Sequence, residues 1–227
     1  MKLGKKYQAV KQLVEADKLY TIEEAAELVK KTSTVKFDAT IDISFNLNVN
    51  TKSADQQVRG TLVLPHGNGK TKRVLAITDK VEEAKAAGAD FAGGKELLEK
   101  IQHENWFDFD IIVATPNMMG ELGKMGRLLG PKGLMPNPKT GTVSPDIGKA
   151  ITEIKAGKVE YRCDKEGNMH ISIARVSFET AKIVDNLNAV CETIVRVRPA
   201  AVKGIFIKNA VIHTTMGPAL KITFAGR

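Results

Sequence analysis

The sequence predicts an α/β protein in two domains: a split α+β domain built from both ends of the chain, and an α/β domain inserted between them. Three observations predict it. Apolar and polar residues alternate near both ends, short unbroken apolar runs alternate with helical periodicity in the middle, and glycines stand where one pattern gives way to the other.

Near the N-terminus, Thr21-Ile22-Glu23-Glu24 has capping-box spacing, and Ile22, Ala25, Ala26 and Val29 follow at helical intervals. From Phe37 the period becomes two. Phe37, Ala39, Ile41, Ile43, Phe45 and Leu47 alternate with Asp38, Thr40, Asp42, Ser44, Asn46 and Asn48, which predicts a strand with one face exposed. This pattern puts Phe37 on the apolar face. A second strand is predicted over Val58–Leu64, stopped by Pro65-His66-Gly67-Asn68-Gly69.

In the middle, strands are expected over Val74–Ile77, Ala89–Phe91 and Asp110–Ala114. Helices are expected over Val81–Ala87, Gly94–Ile101, Met118–Leu129 and Pro145–Lys155. Short buried strands alternating with helices predict a mostly parallel sheet. After Gly157 the period of two returns in Val159, Tyr161 and Cys163, and again in Met169, Ile171 and Ile173. Ser177 is placed to cap a helix whose stripe is Thr180, Ile183, Val184, Leu187, Val190, Cys191 and Ile194. Two further strands are expected between Gly204 and Arg227, separated by Thr214–Pro218.

The expected boundaries are residues 1–67 with 159–227 for the split domain, and 68–158 for the insertion. Residues 68–158 hold 14 Lys/Arg against 12 Asp/Glu, a net +2, whereas the flanks hold 20 against 14, a net +6. The split domain is thus the better candidate for a polyanion site. A net charge of +8 on 227 residues favours a polyanionic partner overall.

Other classes fit poorly. No apolar run approaches the roughly 20 residues that span a bilayer, and Met1–Tyr7 has the charge of a leader with no apolar stretch after it. Cys163 and Cys191 read as isolated thiols, which suits a reducing, cytoplasmic setting. His66, His103, His170 and His213 lack metal-ligand spacing, and no nucleophile pairs with a base, so no enzyme, metal or cofactor is expected. Gly67-Asn68-Gly69-Lys70-Thr71 resembles the end of a phosphate loop, but the position that needs the first glycine is Leu64. A nucleotide-using enzyme and an indiscriminate polyanion binder are the competing readings.

Three stretches invite a nucleic-acid reading. Lys36-Phe37-Asp38-Ala39-Thr40 sets a cation, a ring and a hydroxyl at a strand start, where a ring can stack and a lysine can meet phosphate. Thr214-Thr215-Met216-Gly217-Pro218 is an open turn. Leu129–Val143 holds three prolines and three glycines around Lys132 and Lys139, and composition leaves a plain surface loop and an RNA-touching loop both open. A further stretch, Asp164-Lys165-Glu166-Gly167-Asn168-Met169-His170, is read only as a turn at Lys165–Asn168 between two alternating segments.

In this order and at these distances, together with Leu64-Pro65-His66-Gly67, these stretches resemble the bacterial large-subunit ribosomal protein L1 family over nearly the whole chain. The resemblance implies a split α+β domain with an inserted Rossmann-like domain. It implies a constituent of the 50S subunit in the cytoplasm, binding large-subunit ribosomal RNA in the mobile stalk beside the tRNA exit site. It further implies assistance in releasing deacylated E-site tRNA, and repression of the protein's own operon through its mRNA. RNA contacts carry over onto Glu27, Lys36, Phe37, Thr40, Thr215, Met216 and Gly217, with His170 and Ser172 on the outward face of their hairpin. Lys132 and Lys139 become a candidate contact loop for tRNA or RNA. Ala174-Arg175 departs from relatives, which commonly carry glycine and lysine there, so a close backbone approach at Ala174 is in question.

Overall fold

A computed structural model describes residues 4–15 and 17–224 of the chain. The first three residues of the leader reading and the last three of the final expected strand lie outside the described residues.

In chain order the elements begin with α1 (Lys5–Lys11), α2 (Ile22–Lys31), β1 (Thr40–Leu47) and β2 (Arg59–Val63). The middle of the chain forms β3 (Val74–Ile77), α3 (Val81–Ala86), β4 (Phe91–Gly93), α4 (Lys95–Glu104) and β5 (Ile111–Ala114). It continues with α5 (Met119–Lys124), α6 (Gly126–Leu129) and α7 (Ile147–Lys155). The chain ends with β6 (Lys158–Arg162), β7 (Asn168–Arg175), α8 (Thr180–Arg196), β8 (Ile207–Thr214) and β9 (Leu220–Lys221). Contacts divide it into two compact units, one drawn from both ends of the chain, up to Gly69 and from Val159, and the other Lys70–Lys158.

The first unit holds a four-stranded sheet in the order β7-β1-β8-β9, with antiparallel pairings. β1 is central, and its alternation decides which residues face the core. Ile41, Ile43, Phe45 and Leu47 are buried, while Thr40, Asp42, Ser44 and Asn46 stay half-exposed on the other face. Helices α2 and α8 cover the apolar face and pack on each other. The capping box forms: the Thr21 hydroxyl accepts from the Glu24 amide, and the Glu24 carboxylate accepts from the Thr21 amide. Strands β2 and β6 make a separate pair, where a side chain at Gly60 would collide with the Tyr161 hydroxyl at 2.5 Å.

Two local readings need correction here, and the question raised at Ala174 finds a structural setting. Phe37 is 59% exposed, because β1 starts only at Thr40 and the alternation does not reach back to it. Ser177 does not cap α8. Glu179 occupies the cap position without a side-chain bond, and the Ser177 amide and hydroxyl bind Asp38 instead. At Ala174 the register shifts, so that Ile41 faces Ala174 while the next residue, Asp42, faces Ser172. This bulge leaves Ile173 unpaired and buries both Ile173 and Ala174. The alanine methyl therefore belongs to the core and leaves the outer face clear.

The second unit is a three-stranded parallel sheet, order β4-β3-β5, with apolar clusters on both faces. That is why Val74–Ile77 reads as an unbroken apolar run: all four residues are buried. The short strand lies at Phe91–Gly93 rather than Ala89–Phe91, since the Asp90 carboxylate is used to accept the Val74 amide. The expected Met118–Leu129 helix is broken into a 3-10 turn, Pro116–Met118, and two short helices, consistent with the poor helix propensity of Gly120, Gly123 and Gly126.

Candidate nucleic-acid interface

The outer face of the four-stranded sheet is polar because β1 alternates and its neighbours match it. Asp42 pairs with Ser172 on one side and His213 on the other, and Asn46 pairs with Asn168 and Asn209. Between these rows the Ser44 hydroxyl lies 2.8 Å from His170 Nδ1 and 3.4 Å from His213 Nε2. A hydroxyl carries one proton, so Ser44 can donate to one imidazole and must accept from the other. The Asn46 amide donates to the Asn168 side-chain oxygen at 2.7 Å. His170 is exposed, as the outward reading of its hairpin requires, whereas the Ser172 hydroxyl is buried with no hydrogen-bond partner.

One end of this face gathers most of the residues singled out from the sequence. The Thr215 amide donates to the Thr40 carbonyl at 3.1 Å, and the Gly217 amide closes the turn onto the Thr214 carbonyl at 2.9 Å. Met216 at the apex has φ 67° and is 75% exposed. A left-handed backbone at a large unbranched residue costs free energy, and an exposed methionine adds nothing to the core. Gly217 is required by space: a Cβ there would stand 2.2 Å from the Thr214 hydroxyl.

Across the strand from this turn, Thr40 pairs with Arg175. Lys36 and Phe37, just before it, are both exposed. Asp38 anchors the segment. Its carboxylate accepts the Ser177 amide at 3.0 Å and the Ser177 hydroxyl at 2.9 Å, and its carbonyl accepts Arg175 Nη1 at 2.8 Å. Among the described residues no hydrogen bond or ion pair joins Glu27 to this cluster. It is exposed on α2, paired with Lys31 at 3.9 Å.

Lys132 and Lys139 belong to the other unit. Their loop is well knit: the Asn137 side chain accepts the Lys139 amide at 2.9 Å, the Thr142 hydroxyl accepts the Asn137 amide at 2.8 Å, and Val143 bridges to Ala114. The Lys132 ammonium sits 4.0 Å from the centre of the Phe107 ring, while Lys139 is exposed. Among the described residues no group of His, Cys, Asp or Glu could hold a metal ion, and no helix is long and apolar enough to cross a membrane.

A family model described as the ribosomal protein L1p/L10e family matches residues 29–218. The chain belongs to this family. It is a ribosomal protein of the large subunit that binds ribosomal RNA, a structural component rather than an enzyme. The matched stretch contains Lys36–Thr40, His170, Ser172 and Thr215–Gly217, and leaves Glu27 just outside it.

Ser44 and His213, which complete the polar row around His170, were not singled out from the sequence. The signal was present, since the alternation that buries Ile43 and Ile212 turns Ser44 and His213 outward. What it could not supply was the pairing that sets them side by side.

Proposed function

We propose that the large-subunit RNA is gripped by the sheet end formed by Lys36, Phe37 and Thr40 with Thr215, Met216 and Gly217. The outer face runs on from there through His170 and Ser172, and Glu27 approaches from α2. The observation that carries this reading is the exposure of two large apolar side chains, Phe37 at 59% and Met216 at 75%, at one end of one sheet. Leaving such side chains in water forgoes up to about 1.5–3 kcal/mol each relative to full burial, which a covering partner would recover. The ring can stack on a base or ribose while Lys36 and Arg175 meet phosphate, and the open backbone at Gly217 admits a sugar-phosphate chain closely. Glu27 would accept from a ribose hydroxyl or a base amino group, the donors that an RNA offers a carboxylate.

The finer roles follow from the resemblance to bacterial members. The RNA is the mobile-stalk segment beside the tRNA exit site, and a similar structure in the protein's own mRNA is the second target, through which its operon is repressed. Residues 1–67 with 159–227 form the RNA-gripping domain. The inserted domain, residues 68–158, meets departing E-site tRNA through the loop carrying Lys132 and Lys139.

The test is crosslinking to RNA in cells with sequencing of the bound fragments, paired with in vitro affinity for the stalk fragment and a scrambled control. Stalk ribosomal RNA and the chain's own message should dominate the fragments. Raising salt should weaken both affinities through counterion release yet keep their ratio. A ratio that collapses to one would make the chain an indiscriminate polyanion binder.

A further inference from the structure

We infer that Asp38 is a positioning residue of the RNA interface, one that holds Phe37 and Lys36 in the geometry that RNA requires without itself touching phosphate. The inference rests on the proposed placement of the RNA at this sheet end.

The segment before β1 has no ladder to hold it, because pairing starts at Thr40. Yet three hydrogen bonds converge on Asp38: two from Ser177 to the carboxylate and one from Arg175 to the carbonyl. The next residue is tied as well, the Val176 amide donating to the Ala39 carbonyl at 2.9 Å. Phe37 itself is 59% exposed and is not one of the buried residues of the core cluster, so burial does little to orient it. Its backbone is held by the bonds on its C-terminal side, and the residue that makes them carries a charge of the wrong sign for a phosphate contact.

That sign makes the inference testable. Asp38 and Ser177 are exposed, so their mutual bonds contribute little to overall stability. Removing an acidic charge beside a polyanion should, by electrostatics alone, tighten binding. Positioning predicts the reverse, because an unanchored Phe37 must be ordered when RNA binds, an immobilisation worth about fivefold in affinity. Asn at position 38 can remake both bonds to Ser177, since an amide oxygen accepts the Ser177 amide and a serine hydroxyl can accept as well as donate.

The experiment measures affinity of the full chain for the large-subunit stalk fragment in the wild type, Asp38→Ala, Asp38→Asn, Phe37→Ala and the Asp38→Ala/Phe37→Ala double variant, with thermal midpoints alongside. Expected are a loss of about fivefold for Asp38→Ala, wild-type affinity or better for Asp38→Asn, and little further loss from Asp38→Ala once Phe37 is gone. Should Asp38→Ala fold poorly, Ser177→Ala removes one of the two carboxylate bonds and should show a smaller loss of the same kind. Unchanged or tighter binding by Asp38→Ala, or its full loss persisting without the ring, overturns the positioning role. If Phe37→Ala alone binds normally, the placement of RNA at this sheet end fails, and the positioning role with it.

Discussion

The amide of Thr215 donates to the carbonyl of Thr40 at 3.1 Å, joining the turn after β8 to the first residue of the central strand. The two residues stand 175 positions apart in the chain. This bond brings Met216 and Gly217 to the end of the sheet from which Lys36 and Phe37 emerge. Both termini must therefore fold together before the candidate interface exists.

Met216→Gly should raise stability and weaken RNA binding at once. Glycine accepts φ 67° without the penalty that methionine bears, so a gain of about 1 kcal/mol in chemical denaturation is expected. The same change removes the most exposed large apolar side chain in the described residues. Equal affinity for the stalk fragment before and after would remove Met216 from the interface.

Gly217→Ala should disrupt the turn, because the new methyl would lie 2.2 Å from the Thr214 hydroxyl. That hydroxyl is buried and has no hydrogen-bond partner, so its removal is cheap. Thr214→Ala should accordingly restore much of the stability and RNA affinity that Gly217→Ala loses. Strictly additive effects in the double variant would locate the glycine requirement elsewhere.

Local periodicity made the elements legible wherever one physical cause dominated. The alternation from Ile41 to Leu47 and the unbroken run Val74–Ile77 reflect burial on one face and on two, and both are visible in residue order. Legibility failed where a distant partner decided the outcome. Ser177 has the chemistry of a helix cap but is taken by Asp38, 139 residues away. Asn186, fully buried in α8, donates to the carbonyls of Gly67 and Ile173 and accepts the His66 amide, and nothing in its helical neighbours announces this. Among the site candidates, the motifs pointed to Thr40 and Thr215 separately, and only the sheet register joins them.

The two thiols should differ sharply towards an alkylating reagent. Burial pushes the Cys191 thiol up to about 12, with Glu192 adding to the effect, so almost no thiolate exists at pH 8. Cys163, half-buried, is raised by burial and then by Asp164. Mass spectrometry of native protein should find Cys163 modified first and Cys191 only on unfolding. Prompt labelling of Cys191 in the native state would contradict its packing in α8.

Acid should unfold the inserted unit partly through Asp90. The Val74 amide bonded to its carboxylate at 2.8 Å, with Lys155 at 3.3 Å, holds its pKa below the ordinary 3.8 despite some desolvation. A carboxylate with a depressed native pKa stabilises the fold above its unfolded value, and that stability is lost as pH falls through the native value. Asp90→Asn should cost about 1 kcal/mol at pH 7, mostly for the weakened bond to Val74, since the half-exposed ion pair adds little. The difference between variant and wild type should shrink below pH 3.8. Trp106, the single tryptophan, packs edge-on against Phe91 within this unit, so its fluorescence reports the transition.

The two compact units should separate in function as well as in folding. The large cluster around Phe45, Ile171 and Leu187 draws only on the flanking segments, and the two clusters around Leu75 and Ile151 draw only on residues between Val74 and Met135 or Ile154. Each unit thus has its own source of hydrophobic stabilisation. Replacing residues 70–158 with a short glycine-serine linker should leave a protein that folds cooperatively, as followed by circular dichroism, because the sheet β7-β1-β8-β9 and its covering helices remain complete. All the proposed ribosomal RNA contacts survive that deletion, so affinity for the stalk fragment should stay within about tenfold of the full chain, allowing for the lost +2 and its share of phosphate attraction. Binding of deacylated tRNA to the RNA complex should fall further, since Lys132 and Lys139 leave with the deleted segment. A folded deletion variant without specific affinity would move the principal RNA site into the inserted unit, and the exposed Phe37 and Met216 would then need a different partner.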